Sequence, residues 1–347
     1  MLLDERLICY GRGTTGNGYA GALGTPTVAS VGTIAKSAAP GGIGFTGNAN
    51  VFVIVAADAG DLLGTNGTTM HQGPSSTVST AASVAVTTGN AVQVNISSDV
   101  SGALGYNIYC ASVVGGPYYY SGRTGYTTGY INSQPTSGPT TTSGAADGSA
   151  VATNFDGLLT NVAASGGYST RLNAAFSTTN PGAEFQTCFA SLYESVKADP
   201  EQTWLNGFDR AQISNSIVNN AANTAYRIYI ASGAGQGGVS AGVVVQSLVN
   251  ETTGSNVDVM VHPWFPQGNA LVRSVSLPIP DSNVSETSVM AMVQDYVAIQ
   301  WPVVQMTYDA STFEIGTLAN YAPAWSGIIQ GIQGVGIGTT PPSFGDS

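Results

Sequence analysis

The sequence predicts an α+β fold in which an all-β segment is followed by a half that mixes helices and strands. Residues 26–149 are rich in Gly, Ser, Thr and Ala, and short alternating apolar and polar runs lie between turn residues. After residue 150, an amphipathic helical pattern is followed by a second helical pattern and several short apolar runs. The 347 residues are enough for two or three domains with their own cores.

Charged residues are scarce, and most of them are acidic. They make up 8% of the chain, and the net charge is −11. Average globular proteins carry roughly 25% charged residues. A surface of Ser, Thr, Asn, Gln and Gly pays a smaller desolvation penalty when an interface forms, which suits a protein with many neighbours. The nine Lys and Arg residues form no cluster, so we expect no direct binding of nucleic acid.

The first half predicts a small β-sandwich. Its strand candidates are four apolar or alternating runs, at 50–55, 91–96, 105–110 and 118–120. The stretch 50–131 resembles a fibronectin type III or immunoglobulin-like module, on the strength of GYNIY at 105–109 and GGPYYY at 115–120. The composition of residues 133–149 predicts a linker.

The second half begins with a predicted helix over 183–198. Asn180 is the expected N-cap, with Pro181 at the first helical position, Glu184 in the first turn and Lys197 in the last turn. Further elements are expected after Pro200. They are a strand at 203–205, a helix at 209–218, strands at 226–230, 243–245 and 257–261, and a long β-like run at 293–308.

No constellation of catalytic or metal-binding residues is visible, so we expect no enzyme activity, no cofactor and no metal. His71 is expected in a surface loop, and no two histidines have the spacing of a metal site. The three cysteines are far apart, which predicts free thiols. Residues 11–16 match Gly-x-Gly-x-x-Gly, but no acid lies between Glu5 and Asp58, as a dinucleotide site would require.

Five tracts, in this order, resemble the Hong Kong 97-type capsid fold of tailed bacteriophages. DERLICYGRG at 4–13 resembles the end of the family's spine helix, and DPEQTWLNGFDRAQISNSI at 199–217 resembles its helix–strand–turn–helix. VDVMVHPWFPQGNALV at 257–272 is similar to the strand, turn and strand of its axial domain. DYVAIQWPV at 295–303 and LANYAPAWSGIIQGI at 318–332 are similar to its closing segments. The family's N-terminal arm, extended loop and most of its spine helix would precede residue 4, so they lie upstream, are absent or are supplied otherwise.

The resemblance implies a domain order. Residues 1–25 would end the spine helix and lead into the axial domain, and 26–149 would be an Ig-like insertion with its linker. The peripheral domain would follow at 150–222, the axial domain at 223–280, and the peripheral return with a C-terminal tail at 281–347. Some family members form Lys–Asn crosslinks in the extended loop. Neither Lys36 nor Lys197 maps to that loop, so no crosslink is expected.

The resemblance also implies a function, that of a major capsid protein. Many copies would form pentamers and hexamers of an icosahedral shell around phage DNA, without sequence-specific binding, after assembly in the host cytoplasm. Scaffold, portal and decoration proteins are implied partners. The alternative is a secreted or surface-exposed bacterial β-rich binding protein. Asp4-Glu5-Arg6 interrupts any secretory signal, and no apolar run is long enough for a membrane span, so we expect neither secretion nor membrane insertion.

Candidate subunit-interface residues lie in the last third of the chain. His262 is expected in a turn at a subunit contact. Pro263 and Pro266 bracket Trp264-Phe265, which leaves interface and core as open alternatives for these aromatics. Tyr321 and Trp325, in the Tyr-Ala-Pro segment, complete the set. Core packing is otherwise the expectation for the tryptophans, namely Trp204, Trp264, Trp301 and Trp325.

Overall fold

A computed structural model of the chain describes most of its residues. They are 11–13, 21–39, 44–59, 76–97, 99–138, 140–141, 147–150, 152, 155–164, 166–177, 179–218, 245–263, 265–266, 268–276, 286–301 and 310–333. The helix end predicted before Gly11, the strand predicted at 226–230, the run at 243–244 and His71 lie outside them.

The predicted α+β class and the Hong Kong 97-type fold are wrong. In the described residues, 47% lie in strands and 15% in helices, and the three α-helices are short. Several sheets form, so the fold is β-rich. The physical reason lies after residue 150, where most apolar runs pair with one another as strands. Only two helical patterns there are long enough to cover a sheet face.

Residues 28–141 form two sheets whose described strands all pair antiparallel. The three-stranded sheet has the order β1-β4-β7, and its strands are β1 (Val28–Ala35), β4 (Asn90–Ile96) and β7 (Thr128–Ile131). The five-stranded sheet has the order β3-β2-β5-β6-β8, and its strands are β2 (Ala49–Asp58), β3 (Ala82–Val86), β5 (Gly105–Ala111), β6 (Tyr118–Thr124) and β8 (Thr140–Thr141). The four predicted strands are confirmed, and β8 lies inside the predicted linker. The two sheets share a core in which Val53, Val92 and Tyr106 are fully buried, so we call residues 28–141 the sandwich.

The described strands after residue 150 form one mixed six-stranded sheet and one hairpin. The mixed sheet has the order β11-β12-β10-β13-β16-β9, and its strands are β9 (Tyr168–Ala175), β10 (Gln202–Leu205), β11 (Ser247–Val249), β12 (Asn256–Val261), β13 (Asn269–Arg273) and β16 (Ser326–Gln333). Within it, β10–β12 and β9–β16 are parallel pairs. Strands from the predicted ranges 150–222, 223–280 and 281–347 thus pair in one sheet. The hairpin consists of β14 (Ser288–Gln300) and β15 (Ala310–Asn320).

Three α-helices of the described residues accompany the mixed sheet. They are α1 (Leu158–Ala164), α2 (Ala183–Val196) and α3 (Gly207–Val218), and two 3₁₀ turns lie at Lys36–Ala38 and Pro323–Trp325. The apolar stripe of α2 packs with one face of the sheet, where Phe185, Phe189 and Leu192 join Leu205 and Val272. On the other face, α1 packs beside Leu271 and Ile328. Each face of the sheet is therefore at least partly covered.

The helix α2 begins at Ala183 as predicted, but its predicted N-cap and its predicted C-terminal end are wrong. Its N-cap is Gly182, with a left-handed φ of 83°, so Asn180 and Pro181 precede the helix. Glu184 lies in the first turn as predicted, and its carboxylate accepts a 2.8 Å hydrogen bond from the Ser177 N–H. Lys197 is the C-cap residue, also left-handed with φ 58°, rather than part of the last turn.

Two of the predicted free thiols lie in the described residues. Cys110 and Cys188 are both buried and unpaired. Burial raises the pKa of the Cys110 thiol to about 11 and also raises the pKa of Cys188. Both side chains therefore act as small apolar groups in their cores.

The sandwich and the mixed sheet share a polar and an apolar contact. Arg171 in β9 donates hydrogen bonds to the carbonyl oxygens of Ala103 and Gly125, each at 2.8 Å, and pairs with Asp99. Leu104 of the sandwich joins a core on the α1 side of the mixed sheet, formed by Leu158, Leu159, Val162, Phe265, Leu271 and Ile328. The two units are therefore held together by a shared core and one buried cation.

Gly327 in β16 lies where the core has no room for a side chain. A Cβ at this position would lie 2.5 Å from the Cys188 Sγ and 3.3 Å from the Tyr168 Cβ. We expect Gly327→Ala to lower the free energy of unfolding by about 1 to 3 kcal/mol, because the core must shift to admit the methyl group. Urea denaturation measures this change.

Gly32 in β1 provides a matched control. An added Cβ there meets no atom within 4 Å. Gly32→Ala is expected to be neutral or to stabilise the protein by up to about 1 kcal/mol. Equal stabilities of the two variants would contradict the steric account of Gly327.

Candidate assembly surface

The β14–β15 hairpin is anchored at its base and has no described layer over either face. At the base, the Thr287 N–H donates to the Val275 carbonyl, and its hydroxyl donates to the Ser274 carbonyl at 2.6 Å. On the returning strand, the Tyr321 N–H donates to the Thr287 carbonyl at 2.8 Å. Beyond the base, the two strands pack extensively only with each other among the described elements. An isolated two-stranded hairpin is marginally stable at best in water.

Both faces of the hairpin are open to solvent. The six consecutive residues 291–296 of β14 are all exposed. Successive side chains of a strand point to opposite faces, so six exposed neighbours mean that neither face is covered. The register also shifts between Met292 and Gln294, and again before Val297, which marks bulges in the ladder.

The exposed side chains of the hairpin include many large apolar ones. Val293 is 83% exposed, and Trp301, just beyond β14, is 53% exposed. The full set is Val289, Met292, Val293, Tyr296, Ile299, Trp301, Phe313 and Ile315. Their exposed parts amount to about 700 Å² over the two faces together, taking roughly 175 Å² for each whole side chain. Groups of exposed large apolar side chains are typical of interaction sites.

The hairpin also lacks the residues that usually protect a free strand edge. Neither β14 nor β15 contains Lys, Arg or Pro, and the sequence has no Lys or Arg after Arg273. Natural edge strands are commonly blocked by such residues, Lys above all, because an open ladder recruits other chains. The hairpin is thus chemically suited to a further contact.

A second exposed apolar surface lies on the mixed sheet, on the face that α1 covers only in part. In one row across this face, Met260 of β12 lies beside Trp204 of β10, which lies beside the buried Leu271 of β13. Met260 is 45% exposed. Val249 of β11 pairs with Asn256 of β12, and paired residues point to the same face. Asn256 and Met260 also share a face, because alternate residues of a strand do, so Val249 is exposed on the face of Met260. We call Trp204, Val249, Met260 and His262 the β12 shelf.

The aromatic part of the β12 shelf is held from two sides. The His262 ring stacks on Trp204 with centroids 5.5 Å apart and planes 5° apart, and the Arg273 guanidinium lies 5.1 Å from the same indole. The Trp204 Nε1–H donates to the Gln202 side chain at 3.0 Å. Trp204 is therefore ordered before any partner arrives, which lowers the entropy cost of binding.

The structure places the predicted interface residues in different surroundings. His262 is half-buried on the β12 shelf, and Tyr321 is 58% exposed near the base of the hairpin. Trp325 is half-buried against the α2 core. Phe265 is 2% exposed in the core with Leu104, which favours the core alternative for it. Trp264 lies outside the described residues.

Sequence reasoning missed the hairpin as a site and predicted a core position for Trp301. An available signal was the apolar run from Val289 to Val303, in which large apolar residues occupy both odd and even positions. That pattern also fits a fully buried strand, so it identifies an apolar strand without saying what covers it.

The chemistry available elsewhere in the described residues is limited. No group of three or more His, Cys, Asp or Glu side chains there is placed to hold a metal ion. Asp199 accepts hydrogen bonds from the side chains of Asn250, Thr253 and Ser255 through one oxygen, at 2.8 to 2.9 Å, which fixes the turn between β11 and β12. No described helix is long and apolar enough to cross a membrane.

No protein-family model matches the chain, and no curated protein matches it.

Proposed function

We propose that this protein is a structural virion protein whose copies self-assemble, as pentamers and hexamers, into the capsid shell that encloses phage DNA. The observation that carries the proposal is the β14–β15 hairpin, whose two apolar faces have no cover in the described part of a single chain. Summed over the two faces, its exposed apolar area is about 700 Å², which suits contacts with neighbouring copies on both faces. The scarcity of charged residues supports the same proposal, because little charge must be desolvated when subunits meet.

A second candidate function is a β-rich binding protein on a bacterial surface or in its surroundings. The two-sheet sandwich of residues 28–141 favours it, since such modules often present binding loops at the ends of their strands. At the β5–β6 end, the turn carries exposed Val113 and Val114. This candidate predicts a chain that stays monomeric while it binds a ligand.

Assembly of the purified full-length chain distinguishes the two candidates. Light scattering after size-exclusion chromatography gives the mass, and negative-stain electron microscopy gives the shape. We expect rings of five and six copies or closed shells that dissociate on dilution. A chain that remains a monomer of 35.2 kDa at the highest soluble concentration would overturn the shell proposal.

A charged hairpin variant tests whether the hairpin carries the assembly. In Val293→Lys/Ile315→Lys, two exposed apolar side chains become cations, the residues that natural free edges carry. We expect this double variant to fold as the wild type does and to remain monomeric. The matched control is Val113→Lys/Val114→Lys, which adds the same charge at exposed valines of the sandwich and should assemble normally. Unchanged assembly of the hairpin variant would remove the hairpin from the contact.

A further inference from the structure

Rings of five or six copies need a contact that joins two different surfaces. A contact between identical patches related by a two-fold axis gives a closed dimer, whereas a head-to-tail contact continues around a ring. The hairpin supplies one of the two surfaces. A second apolar surface must therefore accept it on the neighbouring copy, and this step rests on the proposed self-assembly.

The exposed large apolar side chains of the described residues show where that acceptor lies. Apart from the hairpin and the adjoining Tyr321, they occur at only three other places, namely the sandwich turn with Val113 and Val114, Tyr193 on α2, and Val249, Met260 and Val261 on β11 and β12. The first is a two-residue tip and the second is a single side chain. Only the third includes a group on one sheet face, Val249 and Met260, since Val261 points to the opposite face. The half-buried rings of Trp204 and His262 extend that group.

We infer that the hairpin of one copy docks on the β12 shelf of the next copy. The hairpin carries large exposed apolar side chains on both faces and lacks the Lys, Arg and Pro residues that block a strand edge, so its partner is another protein surface. The ring of the proposed assembly makes that partner a second copy of this chain. The Trp204 indole is already fixed between His262 and Arg273, and ordered aromatic side chains are common at the centres of interfaces.

Charge attraction contributes little to this contact. The described hairpin carries Asp295 and Glu314 and no cation. On the shelf side, the attraction of Glu286 and Glu201 already acts on the Arg273 guanidinium, and Asp258 is exposed nearby. The contact is therefore apolar, and it should persist in molar salt, which screens exposed charges.

A mixing experiment tests the pairing of the two surfaces. The hairpin variant Val293→Lys/Ile315→Lys keeps a wild-type shelf, and the shelf variant Val249→Lys/Met260→Lys keeps a wild-type hairpin. All four positions are exposed, so both variants should fold, which circular dichroism and thermal melting check. Each variant alone should be monomeric. An equimolar mixture should form a heterodimer of twice 35.2 kDa and nothing larger, because one good hairpin meets one good shelf.

Each outcome decides one part of the inference. If the shelf variant alone assembles as the wild type does, the β12 shelf is not the acceptor, although self-assembly stands. If both variants are monomeric and their mixture stays monomeric, the two surfaces do not pair. If the wild type itself is monomeric, the proposed function fails before this pairing is tested. Assembly of the mixture that disappears in molar salt would contradict an apolar contact.

Discussion

Replacing Arg171 with methionine is expected to lower the free energy of unfolding by about 2 to 4 kcal/mol. The side chain is 6% exposed and lies between the sandwich and the mixed sheet. It donates to the carbonyl oxygens of Ala103 and Gly125, and it pairs with Asp99, which also accepts a hydrogen bond from the Tyr106 hydroxyl. Its guanidinium lies 5.7 Å from the Tyr106 ring. Methionine keeps the apolar stem and removes every donor.

The loss of stability comes mainly from backbone carbonyl groups that stay in place but lose the hydrogen bond from Arg171. The Gly125 carbonyl loses the Arg171 donor, whereas the Ala103 carbonyl keeps a hydrogen bond from the Gln330 side chain at 3.1 Å. Asp99 is partly exposed, so water replaces part of the interaction that it loses with Arg171. The expected loss of stability is therefore smaller than for a fully buried ion pair.

Urea denaturation with two matched substitutions measures the Arg171 effect. Arg171→Lys keeps the charge without the planar fork and should be intermediate. Lys197→Met removes an exposed cation and should change the stability by less than about 0.5 kcal/mol. A loss in Arg171→Met no larger than that in Lys197→Met would show that the contact does not hold the two units together.

Replacing Asp209 with asparagine is expected to stabilise the protein at pH 8 by about 3 to 4 kcal/mol. The Asp209 side chain is buried in the first turn of α3, and burial raises its pKa to about 7, although a 2.8 Å hydrogen bond from the Gly268 N–H acts in the other direction. The unfolded chain releases this proton near pH 4, whereas the folded chain keeps it until about pH 7. The folded state therefore binds more protons in this window, so stability falls as the pH rises from about 4 to 7 and stays low above it.

The pH profile separates this effect from the charge of the whole chain. The difference in melting temperature between Asp209→Asn and the wild type should be small near pH 4, grow up to pH 7 and then level off. Asp258→Asn removes one acid at an exposed position and should follow the wild-type profile. Parallel profiles for Asp209→Asn and the wild type would contradict the raised pKa.

Local patterns in the sequence predicted individual elements well. The strands at 91–96 and 105–110 have alternating or apolar runs bounded by turn residues, and α2 has an apolar stripe of helical period. The N-cap of α2 was wrongly assigned because Asn180-Pro181 is a good capping pair, whereas Gly182 holds the cap position with a left-handed backbone. Capping preferences are small energies that tertiary context overrides.

The assembly of strands into sheets could not be predicted in this way. β10 lies between β12 and β13, and β16 pairs with β9 from more than a hundred residues away. Such pairings depend on which faces are buried together, so the resemblance of single tracts to a capsid fold carried no information about them. The candidate assembly surface could not be predicted from the sequence for the same reason. The extended run around Val293 was predicted, but its exposure depends on what the rest of the chain leaves uncovered.

The core around Leu104 bears on how such a chain can change in evolution. A recombination event that removed the sandwich would take away Leu104 and the carbonyl groups that Arg171 binds, both of which serve the mixed sheet. The remaining chain would expose apolar side chains on α1 and would deprive the Arg171 guanidinium of most of its acceptors. The two units must therefore be inherited together, and sequence drift at Leu104, Arg171 and their neighbours should be coupled even though they lie in different sheets.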